Sequence, residues 1–289
     1  MSNTPMTRAF FALAMLGLSP GLCAQQPDEG TPAARFAAVK ADHEKAMKAF
    51  VTAYQAAKSE AEKDALVRDQ LPKPEPYVAR MIAIAAESPN DPVAVDCLTW
   101  ALDNGRDEEQ MAAVLQTLQR DHLTSPKLGD VCMTLRGGGI KNDEAFLRAV
   151  LADTPHRPVR AQACYVLGLL HTQAATLART VQSGGDPARV QQLAARYGEE
   201  WLAAMRTADA AQLQQQGEAL LERVAAEFGE VAAPRGTLGE WATADLFELR
   251  HLTVGKPAPE IVGTDLDGVE FKLSDYRGKV IFLDFWGFW

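Results

Sequence analysis

The sequence holds little cysteine, and what it holds cannot be paired. Four cysteines stand in 289 residues. Cys23 falls in an apolar N-terminal stretch, and Cys97, Cys132 and Cys164 are odd in number with no C-x-x-C spacing among them. Neither a vicinal dithiol nor an evenly paired disulfide framework follows from them. Histidine is equally uninformative: His43, His122, His156, His171 and His251 are dispersed, and none stands at i, i+4 from another, so no metal site is expected. Gly137-Gly138-Gly139 lacks a preceding strand and a following Lys-Ser/Thr, which excludes a phosphate loop. Basic charge is also short: 29 Lys and Arg against 38 Asp and Glu give a net charge of −9, with no local basic stripe. Such a chain repels phosphate backbones, so nucleic acid is not an expected partner.

Long apolar runs are missing too. The longest near the N-terminus is Ala9 to Leu18, ten residues, too short to span a bilayer. Arg8 precedes it, Pro20-Gly21 break it, and Leu22-Cys23-Ala24 offers small residues for cleavage. This pattern predicts a signal peptide over residues 1–24 and an exported, periplasmic or extracytoplasmic protein with no membrane span after cleavage. The alternative is an uncleaved N-terminal anchor. A lipidated Cys23 fits less well, because Pro20-Gly21-Leu22 puts no small residue directly before it. Loss of Arg8 leaves 28 basic against 38 acidic residues, a balance of −10.

What the sequence has in abundance is alanine at helical spacing. Val78, Met81, Ile82 and Ala85 recur on one helix face, and Met111, Val114, Leu115 and Leu118 on another. Ser88-Pro89-Asn90-Asp91-Pro92 breaks the pattern, with Asp91 as N-cap and Pro92 in a first turn. Met81 to Pro89 aligns with Leu147 to Pro155 at an offset of 66, and Ser125-Pro126 falls between them. Units of 32 to 34 residues predict a helical-repeat domain of TPR-like or HEAT-like type over residues 33–228. An irregular helical bundle is the alternative. Leu98, Cys132 and Cys164 share one position in this register, which marks it as inward-facing and the cysteines as packing residues. Farther on, Leu213, Leu220, Leu221, Val224 and Phe228 form a further apolar face. Residues 229–252 are expected to be a linker and a connecting helix, the latter from about Leu238 to His251.

At Val254 the texture becomes strand-like. Pro257 and Pro259 forbid a helix, and Asp267-Gly268 suits a tight turn between two short extended runs. Ser274 can start a single turn that Gly278 ends. Val280 to Trp286 is continuously apolar except for Asp284, as in a strand buried on both faces.

The order and spacing of Val254-Gly255-Lys256-Pro257-Ala258-Pro259, Asp267-Gly268, Leu273 to Val280 and Phe285-Trp286-Gly287-Phe288-Trp289 resemble the opening of the TlpA/ResA-type thioredoxin-like proteins, which border on the AhpC/TSA peroxiredoxins. The resemblance implies that residues 253–289 are the N-terminal part of an α/β thioredoxin-like domain following the mainly α region. It also implies a thiol-disulfide oxidoreductase, or a peroxide-reducing relative, needing no cofactor. The implied partners are protein thiols or disulfides, or a thiol electron donor. In the family pattern F-W-x-x-W leads into C-x-x-C, where the first cysteine attacks and the second resolves. This chain ends at Trp289, so the expected nucleophile is absent from it, and as it stands it is expected to be inactive. Asp284 matches the acid that thioredoxins bury behind the redox pair, a proton acceptor for the resolving thiol; many TlpA-type members carry Asn there, and an Asp hydrogen-bonded at a strand end is the alternative. Trp286 and Trp289 would flank the redox site without taking part in the chemistry. A UGA codon read as selenocysteine after Trp289 is one expectation, and a fragment boundary or frameshift is the other. A rival reading of the whole chain is a helical-repeat scaffold for a protein partner, with a vestigial thioredoxin-like stub.

Overall fold

The structure is a computed structural model that describes residues 30–184, 186–284 and 287, with the side chain of Arg196 also left out. The signal-peptide reading of residues 1–24 and the two tryptophans Trp286 and Trp289 lie outside the described residues.

The described residues are mainly helical. Helix α1 (Pro32–Ala56) starts where Thr31 accepts a hydrogen bond from the Ala34 amide at 3.2 Å. It is followed by α2 (Glu60–Gln70), α3 (Glu75–Glu87), α4 (Val93–Asn104), α5 (Glu108–Asp121) and α6 (Leu128–Thr134). Next come α7 (Asp143–Asp153), α8 (Arg157–Gln182), α9 (Pro187–Tyr197), α10 (Glu199–Thr207), α11 (Ala210–Glu227) and α12 (Leu238–Phe247). The break before α4 forms where expected but one residue later at the cap: Pro92, expected in the first turn, occupies the N-cap, and Asp91, expected there, precedes it and accepts from the Val93 amide at 2.9 Å.

The predicted apolar faces are the ones buried. Met81 and Val78 on α3, Met111, Leu115 and Leu118 on α5, and Leu221 and Val224 on α11 join one core with Phe146, Leu147 and Leu167. Each such side chain contributes roughly 1.5–3 kcal/mol by leaving water. Helix α3 packs on α1 and α4, α6 on α4 and α8, and α8 on α7 and α11. The α8–α11 crossing is closest at two glycines. A Cβ on Gly217 would lie 2.8 Å from the Gly168 carbonyl oxygen, so no other residue permits that approach.

Successive interhelical turns are tied by side chains of similar position. Lys127 Nζ, before α6, donates to the Pro92 carbonyl at 3.1 Å and pairs with Asp96 at 2.5 Å. His156 Nε2, before α8, meets the Thr124 carbonyl at 2.8 Å. Arg157 bonds the Glu227 carbonyl and pairs with Glu230 at the end of α11.

The stretch 229–237, expected as a linker, folds back on the body. Leu238 N donates to the Val231 carbonyl at 2.8 Å, and Val231 is buried. Helix α12 then places Leu238, Ala242 and Leu246 in the same core. Beyond a π-helical turn, Glu248–Leu252, two strands, β1 (Val262–Thr264) and β2 (Glu270–Lys272), pair antiparallel with Gly263 opposite Phe271.

Candidate functional site

The segment that carries the family-like motifs is built from short-range bonds. Asp265 organises the turn between β1 and β2. Its Oδ1 accepts from the amides of Asp267 and Val269, both at 2.9 Å, and Gly268 sits at φ 80° as the Asp-Gly pair requires. Glu260 Oε1 accepts from the Ser274 amide at 2.9 Å, which fastens the start of the segment to the single turn Leu273–Tyr276. Hydrogen bonding from the Ser274 side chain, and then from its amide, holds the Glu260 carboxyl below its usual range. The hairpin and the turn after it therefore form as the sequence predicts.

The next element does not. Residues 280–284, predicted to be a strand buried on both faces, have no strand partner among the described residues and lie open to solvent, with Val280 at 103% and Phe282 at 91% exposure. A central strand is held by neighbours that take up its amides and carbonyls. Among the described residues, β1 and β2 bond only to each other, and nothing else is available to pair with it. Asp284 follows its strand. It is exposed, not buried, and it has no hydrogen-bonding partner among the described residues. The buried setting that its expected role requires is thus not assembled around it here. No residue from Thr253 to Asp284 is buried.

The three cysteines lie elsewhere. Cys97 on α4, Cys132 on α6 and Cys164 on α8 are free and fully buried in the helical core, as the shared register position anticipated for the latter two. Burial disfavours the thiolate. It pushes Cys97 up to about 12 and Cys164 up to about 11, and it raises Cys132 too. None of them is poised as a nucleophile.

Two clusters of polar side chains were not singled out by sequence reasoning. On the α7–α8 contact, Glu144 Oε1 lies 3.4 Å from His171 Nε2 and 2.7 Å from Arg148. The His171 ring and the Arg148 guanidinium hold the Glu144 carboxyl at about 2. The second cluster lines a cleft of about 610 Å³ where α4, α6 and α8 meet the turn before α12. Asp103, Asp130, Arg136 and Gln162 line it opposite Pro234 and Trp241. Its one signal in the sequence was Asp130 standing 34 residues after Asp96, on the same register as the turns.

No protein-family model matches the chain, and no solved structure matches it significantly. Short matches to curated proteins are strong in identity. The chain is 60% identical over 42 residues to a protein named thiol-disulfide oxidoreductase ResA from Geobacillus kaustophilus, covering 14% of this chain and 24% of that protein. It is 49% identical over 53 residues to the ResA of Geobacillus thermodenitrificans, 18% of this chain and 30% of the relative. It is 50% identical over 38 residues to that of Bacillus thuringiensis, 13% and 22% of the two chains. The chain thus spans between 22% and 30% of the length of these relatives. It carries a short segment similar to the ResA thiol-disulfide oxidoreductases, beside a much larger helical body.

Proposed function

We propose that this is an exported protein in which a helical-repeat body carries a thioredoxin-like domain for thiol–disulfide exchange. The observation that carries the reading is the 60% identity over 42 residues to a ResA thiol-disulfide oxidoreductase. The order of the motifs from Val254 to Trp289 supports it.

The chemistry proposed is a two-electron exchange. A thiolate attacks a sulfur of the partner's disulfide, a mixed disulfide forms, and the partner's other sulfur leaves as a thiolate that takes up a proton. A second thiolate then attacks the mixed disulfide, so the enzyme ends oxidised and the partner ends with both sulfurs reduced. The position after Trp289 would supply the first nucleophile, as cysteine or as the more acidic selenocysteine. Asp284 would take the proton of the resolving thiol once the sheet around it is complete. A peroxide in place of the disulfide would make the same site a peroxidase. Cys97, Cys132 and Cys164 take no part in the proposed exchange, because they are buried and pushed up in pKa.

A scaffold that binds a protein partner through the helical body is the second reading. It is favoured by one observation: the core lies in the helical body, and no residue from Thr253 to Asp284 is buried.

Mass spectrometry of the protein isolated from its own cells separates the two. A peptide that continues past Trp289 into C-x-x-C or U-x-x-C, with a mature N-terminus at Gln25, is the expected result. A native C-terminus at Trp289 with no activity above background in insulin-disulfide reduction would overturn the redox reading and leave the scaffold.

A further inference from the structure

We propose that the cleft between α4, α6, α8 and α12 is a binding site for an extended polypeptide segment bearing a basic side chain. The proposal rests on the helical body alone and stands whether or not the redox reading does.

The first observation is a contrast between two aspartates in the first turns of α4 and α6. Asp96 is neutralised by Lys127 at 2.5 Å. Asp130 stands 34 residues on, and Val159, 32 residues after Lys127, occupies the place where a matching cation would be. Asp130 and Asp103 both line the cleft, and among the described residues neither carboxylate has a hydrogen bond or an ion pair. Arg136, the one cation lining the same cleft, pairs with neither of them. Two carboxylates facing one concave space, against the single guanidinium of Arg136 that bonds neither, leave a net negative field that favours a positive ligand group.

The second observation is that the opposite wall is apolar and fixed. Trp241 Nε1 donates to the Arg235 carbonyl at 2.8 Å, and the indole packs on Tyr165 with ring centroids 6.0 Å apart. Tyr165 is in turn held by a 2.8 Å bond from its hydroxyl to Asp245. A ring clamped at both ends offers a face to a guanidinium or an alkyl stem without losing rotamer freedom on binding.

The third is the floor. Gly129 is buried, and a Cβ there would lie 2.0 Å from Gln162 Oε1. The absent side chain lets the Gln162 carboxamide lie across α6, where it has no partner in the fold and is free to bond a peptide group. At about 610 Å³, the space fits two or three residues rather than a whole helix. Paired carboxylates, an aromatic face and an unsatisfied amide together match a basic residue flanked by apolar ones.

The probe is a set of capped pentapeptides with a central arginine between leucine and phenylalanine, together with the same peptides carrying glutamine or glutamate at the centre. Binding to the full chain is measured by calorimetry. The arginine peptide should bind with a Kd below about 1 mM, weaken as salt is raised, and bind at least about fivefold more tightly than the glutamine peptide. The double variant Asp103→Asn/Asp130→Asn should weaken it about tenfold. The variant should keep the parent's melting temperature, since both carboxylates are exposed and unpaired. Equal binding of the arginine and glutamate peptides, an unchanged Kd in the double variant, or no binding at about 1 mM would each overturn the proposal.

Discussion

The helical body and the segment after Leu252 are built on opposite economies. In the body, side chains from α1, α3 to α8, α11 and α12 converge on one core, and the turns are cross-tied through Lys127, His156 and Arg157. In the segment, order comes from neighbours within a few residues of each other, through Asp265, Gly268 and Asp275, and from one longer bond between Glu260 and Ser274. Local bonds alone fix a hairpin and a turn. They cannot fix Val280 to Asp284, whose apolar pattern is meaningful only inside a larger sheet. Long-range burial separates the two regions, although both read clearly at the level of motif.

Substitution of equal side chains in the two regions gives the largest effect. Phe146→Ala removes a fully buried ring and should cost about 3–5 kcal/mol in a urea melt. Phe282→Ala removes the same ring from solvent and should stay within about 0.5 kcal/mol. A similar cost at both positions would abolish the contrast.

Glycine sharpens it further. Gly217→Ala puts a Cβ 2.6 Å from Thr172 Cγ2 and 2.8 Å from the Gly168 carbonyl, so it should destabilise by about 1–3 kcal/mol despite alanine's better helix propensity. Gly137→Ala, with no atom within 4 Å of the new methyl group, should be nearly neutral. Thermal melts of the two variants decide the matter, and equal melting temperatures would mean that α8 and α11 are not in close contact.

The smallest effect is electrostatic and belongs to the body alone. The Glu144 carboxyl is held at about 2, from an ordinary 4.5, by His171 and Arg148. Because the folded-state value is depressed, its contribution is present above pH 4.5 and is lost as pH falls towards 2. Glu144 is half exposed, so Glu144→Gln should cost only about 1 kcal/mol at neutral pH. That difference should shrink steadily as pH falls from 4.5 towards 2, and a difference at pH 2 as large as at neutral pH would show that Glu144 acts through packing instead.

Much of the body was legible because burial there follows a helical period. Met81, Leu115 and Leu221 declared their faces by spacing, and Cys132 and Cys164 declared theirs by sharing a position with Leu98. The packing of Val231 and α12 into the core was not legible, since Pro234-Arg235-Gly236 reads as a linker whether or not the chain folds back. The cleft was invisible for a related reason. Asp103, Asp130 and Trp241 are distant in sequence, and only the meeting of α4, α6 and α12 brings them around one space. In the segment the hairpin was legible from Asp267-Gly268. The expected strand and the burial of Asp284 were not realised, because a residue's own sequence cannot supply the strands that must flank it.

Native-state hydrogen exchange on the full chain tests the central contrast most directly. Amides of α4, α8 and α11 should exchange only through global unfolding, while those of Ile281, Phe282, Leu283 and Asp284 should exchange within about tenfold of the free-peptide rate. Protection at those four residues comparable to that of α8 would contradict the account, because it would mean that the segment is docked and paired in the chain as it stands.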